Sequence, residues 1–201
     1  MNFKDGFFSD DNENDTPIET INSFTGEYAF LGNFYDCVQN SEIAYMGEDG
    51  DVKFVREDFR TVEHAFQASK TLNREEQLEI INATSPKAAK RLGRRCTLRQ
   101  DWDGKRVQIM ERLVRDKFSQ HFDLKMKLLL LENKEIVEGN AHGDQFWGKT
   151  HDGVGENNLG KILMKIRNFT IEIDGTFKEH IDSFLRENQL GFVSDLIEWK
   201  I

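Results

Sequence analysis

From Thr61 onward the apolar side chains recur at helical spacing, and this commits most of the chain to α-helix. Val107, Met110, Val114 and Phe118 share one stripe between Asp103 and Gln120, Leu124 to Leu131 is a second apolar segment, and Leu159, Ile162, Leu163 and Ile166 make a third. Steps of three and four residues bring side chains onto one face of a helix. Local punctuation agrees with the periodicity. Thr61 is a plausible N-cap for a helix running toward Lys70. Ser85-Pro86 joins an N-cap to proline at the first helical position, and Gly93 supplies a stop.

Before Thr61 the character changes. Phe24, Tyr28, Phe30, Phe34 and Tyr35 are spaced by Gly and Asn, which reads as short strands or extended loops between Ile21 and Val55. Asp49-Gly50 is a strong turn signal and predicts a hairpin near Ala44 to Val55. At the N-terminus, Ser9-Asp10-Asp11-Asn12-Glu13-Asn14-Asp15 reads as part of a flexible acidic lead-in over 1–20. Phe177 to Trp199 predicts a last helix pair within a C-terminal extension over 169–201. The expected fold is mainly α (α+β): a single compact helical domain over 21–168, with a small irregular β-containing, aromatic-rich part at its N-terminal end.

Composition narrows the function. Net charge is -9, so the protein as a whole is not a basic nucleic-acid binder. Between Lys87 and Arg115, however, ten basic residues face only Asp101, Asp103 and Glu111. Such a stretch suits a phosphate-bearing ligand, and equally suits basic helix faces in solvent. Cys37 and Cys96 are too few for a disulfide scaffold, no apolar run is long enough to span a membrane, and the N-terminus lacks a signal peptide's pattern. A cytoplasmic protein is the expectation.

Two segments carry candidate chemistry. Within Glu63-His64-Ala65-Phe66-Gln67-Ala68-Ser69-Lys70, helical spacing aligns Glu63, Gln67 and Lys70, so that an acid, an amide and an amine converge. Read alone, the octamer also fits a pair of solvated charges. The polar run from Gly139 to Gly148 holds Trp147, a flat ring suited to stacking on a base, and Asp144, which could orient water or a sugar hydroxyl. Here too a plainer role exists: a core Trp and a turn-capping Asp. Gly155-Glu156-Asn157-Asn158-Leu159-Gly160-Lys161-Ile162 nearly spells a P-loop, but Ile162 stands where a metal-holding Ser/Thr is required and no strand precedes it. The five His residues show no zinc spacing. Neither a metal nor a cofactor is expected.

Taken in order, these pieces resemble the NADAR (YbiA-like) N-glycosidase family. The resemblance rests on Phe30-Leu31-Gly32-Asn33-Phe34, the Val62 to Lys70 motif, Ser85-Pro86 with Ala89-Lys90-Arg91-Leu92-Gly93-Arg94, Asp101-Trp102, and Leu113-Val114-Arg115-Asp116-Lys117-Phe118. It continues through Ile136-Val137-Glu138-Gly139-Asn140, Asp144-Gln145-Phe146-Trp147-Gly148 and Gly155 to Met164. The resemblance implies a compact, mainly helical domain hydrolysing N-glycosidic bonds. Its substrate classes would be ADP-ribose on a base, guanine in nucleic acid included, and phosphorylated ribosylamino intermediates of riboflavin synthesis. Carried onto this chain, Glu63, Lys70 and Asp144 are the expected catalytic residues, with Lys70 either an amine nucleophile or a phosphate holder. Asn33, Phe34, Gln67, Arg94, Trp147, Gly148 and Asn158 are the expected substrate-binding residues. Two alternatives stand beside this: a non-catalytic ADP-ribose/NAD-binding module, and a transferase that adds ADP-ribose.

Overall fold

The computed structural model describes residues 19–140 and 143–173. Most of the acidic lead-in and the helix pair expected over Phe177 to Trp199 lie outside them. The architecture is mainly α with few strands. In chain order come β1 (Thr20–Ile21), a 3-10 helix (Gly26–Leu31), β2 (Gln39–Met46) and β3 (Val52–Phe59). Helices α1 (Val62–Ala68), α2 (Arg74–Ile81), α3 (Pro86–Gly93), α4 (Trp102–Gln120) and α5 (Phe122–Leu129) follow, then β4 (Glu135–Ile136) and α6 (Asn158–Ile173). Among the described residues no helix is long and apolar enough to cross a membrane.

Helix α1 sits at the centre. It is too short to persist alone, since a helix of two turns does not recover its nucleation cost. Burial stabilises it instead: every residue from Val62 to Ala68 is buried. Ala65 and Ala68, both fully enclosed, keep its girth small enough for α2, α3 and α4 to pack around it. Thr61 caps it, its hydroxyl accepting the His64 backbone N–H. Ser85 caps α3 in the same way through Ala88, with Pro86 at the first helical position as expected. The longest helix, α4, buries Met110, Leu113, Val114 and Phe118 along one stripe.

The N-terminal part departs from the expected strands and loops. Gly26 to Leu31 winds into a 3-10 helix whose Phe30 and Leu31 enter the core. What holds it is a lysine. Lys117, one turn beyond Leu113 on the buried face of α4, donates from Nζ to the carbonyl oxygens of Phe30 at 2.5 Å and Gly32 at 3.0 Å. Those carbonyls end a helix; Gly32 also receives the Tyr35 N–H at 3.3 Å, so the carbonyl of Phe30 depends most on the lysine. The hairpin is longer than its turn signal implied, running antiparallel from Gln39↔Phe59 to Met46↔Val52 around Gly47 to Asp51. Gln39, Ser41 and Ile43 alternate inward toward α4, where Gln39 Nε2 donates to the Leu113 carbonyl at 3.0 Å.

One pairing has no local signal. β1 runs parallel to β4, with Thr20 opposite Glu135 and Ile21 opposite Ile136. The segment after β4 then crosses beside α1, and it delivers the remaining parts of the site.

Candidate active site

Helix α1 and the turn that ends it bring an acid, an amide and an amine together, the first two in a place water barely reaches. Glu63 is 4% exposed and Gln67 3%, which excludes the reading of solvated charges. Gln67 Nε2 donates to Glu63 Oε1 at 2.9 Å. The Glu63 backbone N–H donates to the Asn33 carbonyl at 3.0 Å, so the loop after the 3-10 helix is fastened to the start of α1. Burial pushes the Glu63 carboxyl above its ordinary value, against the pull of Lys90, the Gln67 amide, Lys70 and Arg94. Lys70, half-buried, is pushed the other way by burial, with Glu63 opposing. Both groups are therefore moved toward their neutral forms, Glu63 in the first turn of α1 and Lys70 just past its C-cap Ser69. The Lys70 ammonium nitrogen lies 5.9 Å from the ring centroid of Phe66 and 5.8 Å from that of Trp102.

Helix α3 crosses close by because Gly93 has no side chain. A Cβ there would come within 2.1 Å of Gln67 Oε1, an oxygen that is buried and has no hydrogen-bond partner among the described residues. One turn earlier, Lys90 stands 5.8 Å from the ring centroid of Phe34, which is 41% exposed. Lys90 and Arg94, a turn apart, form the cationic edge of the site, with Arg94 exposed.

The polar loop forms the opposite wall. Asp144 Oδ1 accepts the backbone N–H groups of Phe146 at 3.1 Å and Trp147 at 2.9 Å. Its own N–H donates to Asn140 Oδ1. Asp144 thus shapes the turn that aims Trp147, and one of its oxygens is occupied in doing so. Trp147, half-buried, packs edge-on against Phe66 at 5.3 Å and against Phe146 at 4.9 Å. With Trp102 tilted on the far side of Phe66 at 5.1 Å, the rings make a continuous aromatic wall. The Arg106 guanidinium extends it, 3.7 Å from the Phe146 ring centroid.

Several expected site residues serve through their backbone or their neighbours. Asn33 offers its carbonyl to Glu63, while its amide points to the Met110 sulfur at 3.5 Å. Asn158 donates from Nδ2 to the Phe146 carbonyl at 2.8 Å and to Glu156, steadying the loop. Gly148 is buried, and a Cβ on it would meet the Glu138 carbonyl oxygen at 2.1 Å.

That contact leads to a residue not singled out from the sequence. Glu138 follows β4, its N–H accepted by Asn157 Oδ1 at 3.0 Å and its C=O receiving the Lys149 N–H at 2.9 Å. Asn157 also donates to the Ile136 carbonyl at 2.9 Å and adopts a positive φ of 54°, a conformation asparagine tolerates better than most residues. The Glu138 backbone is therefore fixed on both sides. Its Oε2 is buried and has no hydrogen-bond partner among the described residues. Burial, then the Asp144 and Glu63 carboxylates, raise its pKa to about 7, with Lys90 opposing. The available signal was an acid set between Ile136-Val137 and Gly139, where an apolar residue would continue the strand. Among the described residues no group of His, Cys, Asp and Glu converges to hold a metal ion.

Comparison with known proteins shows the family. The NADAR domain model matches residues 21–169. N-glycosidase YbiA of Escherichia coli is 38% identical over 109 residues, covering 53% of this chain and 68% of that protein. An N-glycosidase of Nostoc punctiforme is 39% identical over 112 residues, covering 53% and 71%. The chloroplastic riboflavin biosynthesis protein PYRR of Zea mays is 35% identical over 174 residues, which is 80% of this chain but 26% of the plant protein. The NMR structure of E. coli YbiA superposes with a TM-score of 0.62 at 32% identity, covering 78% of this chain and 89% of that one.

Proposed function

The chain belongs to the NADAR family, and from that premise we propose that it cleaves the C1′–N bond between a phosphorylated ribose, ADP-ribose included, and a nitrogenous base. The coarser activity, hydrolysis of N-glycosyl compounds, is that of its N-glycosidase relatives. The observation that carries the finer reading is the buried Glu63–Gln67 pair facing a half-buried Lys70 beneath an aromatic wall.

Breaking a C1′–N bond builds positive charge on the sugar and negative charge on the departing nitrogen. Glu63, in a poorly hydrated pocket, is suited to stabilise the sugar cation or to draw a proton from water. Burial disfavours the charge on the Lys70 amine and so eases loss of its proton. The amine is suited to attack the opened sugar as a nucleophile. Lys90 and Arg94, nearer solvent, are better suited than Lys70 to hold phosphate. The exposed face of Trp147 is the stacking surface for the base, aimed by Asp144 and steadied by Asn158. Phe34, beside Lys90, is suited to cover the ribose.

Two substrate classes fit these features: ADP-ribose carried on guanine, free or in nucleic acid, and phosphorylated ribosylamino intermediates of riboflavin synthesis. Incubation with a panel of both classes, followed by chromatography of the released base, tests the reading. Time-dependent base release supports it. Saturable binding without release from any member would make the protein a binding module. Consumption of NAD with a newly modified acceptor would make it a transferase.

A further inference from the structure

The departing nitrogen needs a proton, and neither Glu63 nor Lys70 is free to supply it while steadying and attacking the sugar. Glu138 is the remaining acid that shares their surroundings. Val137 and Gly139 line a separate groove of about 590 Å³ together with Thr20, Asn22 and His151, whereas Glu138 does not line it and lies instead among Asp144, Glu63 and Lys90, on the side of the site. Its backbone is held by Asn157 and by the Lys149 N–H, and its carbonyl lies against Gly148, the neighbour of Trp147. The Glu138 Oε2 is enclosed yet has no hydrogen-bond partner among the described residues. A buried polar atom without a partner is costly, and it persists where a ligand completes it.

We propose that Glu138 is the proton donor to the leaving base, a catalytic residue with a role separate from that of Glu63. The assignment rests on the N-glycosidase reading. In the step, the C1′–N electron pair passes to nitrogen and the Glu138 O–H proton moves to that nitrogen, leaving Glu138 as carboxylate. The water that then adds hydroxyl to the sugar carbon returns its other proton to Glu138, so one glycoside and one water give one sugar and one protonated base. The charged groups facing Glu138 are Asp144 from the loop, Glu63 from α1 and Lys90 from α3. The two acids favour its protonated form. Lys90 keeps the carboxylate produced by the step from standing alone.

The test uses the ribosyl 5′-phosphate N-glycosides of a series of anilines, from aniline itself to dinitroaniline. A strongly basic leaving nitrogen needs the proton, whereas a dinitroanilide departs almost unaided. Glu138→Gln should lower kcat/KM on the order of 100-fold or more for the aniline compound and less than about fivefold for the dinitroaniline compound. For the wild-type protein, kcat/KM on the aniline compound should fall as pH rises through about 7, while the dinitroaniline compound should show no such limb. The wild-type profile needs no variant, so it decides the matter even if Glu138→Gln does not fold. A uniform loss across the series, wild-type rates across the series, or matching pH profiles would overturn the role of Glu138 and leave the N-glycosidase reading intact. A wild-type protein that releases no amine from any member would overturn both.

Discussion

Gln67 Nε2 donates to Glu63 Oε1 at 2.9 Å across one turn of a helix that has no exposed face. The bond orients a carboxyl that burial would otherwise drive toward its neutral form, and it leaves the other carboxyl oxygen for substrate. Glu63→Gln keeps the shape and hydrogen bonding but removes the charge. Turnover should fall on the order of 100- to 10,000-fold with ligand binding largely kept. Parallel rate and binding measurements check this, and activity within about threefold of wild type would move Glu63 to a structural role.

Gly93 controls how near α3 approaches that pair. A methyl group there would sit 2.1 Å from Gln67 Oε1, so Gly93→Ala must displace the amide that orients Glu63. Overpacking of this kind costs about 1–3 kcal/mol of stability. The rate should fall further than an equally destabilising change on the exposed surface of the protein. Comparing Gly93→Ala with such a control, by chemical denaturation and by turnover, separates loss of fold from loss of alignment.

Trp147 is both wall and support, because one ring edge packs on Phe66 while the side chain stays half-buried. Trp147→Ala should therefore weaken binding by about 1–3 kcal/mol, the range for base–aromatic stacking. It should also lower stability, by less than the roughly 3–5 kcal/mol of a fully buried ring. Trp147→Phe should recover most of the binding. Melting curves run beside binding curves decide it: a large melting shift with unchanged affinity would remove Trp147 from the site.

Lys117 gives a pH dependence of stability that owes nothing to catalysis. Burial lowers its pKa to about 8 in the folded protein, against 10.5 for an ordinary lysine. Between those values the unfolded chain binds more protons, so stability gained from this residue rises with pH across that window and is flat below it. The full gain is on the order of 3 kcal/mol. Lys117→Met should abolish the rise, and should also take the lysine donor away from the Phe30 carbonyl, while Gly32 keeps the Tyr35 N–H. Urea unfolding of both proteins from pH 7 to 10.5 measures the difference.

What could be read in the sequence was local. Thr61 and Ser85-Pro86 announce helix starts through their own side chains, and Met110, Val114 and Phe118 announce a buried face through spacing. Convergence of Glu63, Gln67 and Lys70 follows from helical geometry alone. Lys117 was legible in principle, because it lies one turn from Leu113 on an otherwise apolar stripe, where a charge has to be satisfied. Helix α2 escaped because its residues are mostly polar, and only Gln77 and Ile80 are buried. Glu138 escaped for a different reason. Its position depends on β1 meeting β4 and on the Asn157 side chain, and no nearby residue encodes either.

The parallel pairing of Thr20–Ile21 with Glu135–Ile136 has a consequence for how the protein is made. As the chain leaves the ribosome, β1 emerges early and waits unpaired, while α1 to α5 form from neighbours already present. Its partner strand arrives late, and the clamp from Asn157 later still. Closing so long a loop is slow compared with local helix packing. A nascent or prematurely ended chain can thus hold Glu63 and Lys70 in nearly their final places and still have no enclosed pocket. Hydrolytic competence comes last, with closure of the strand pair.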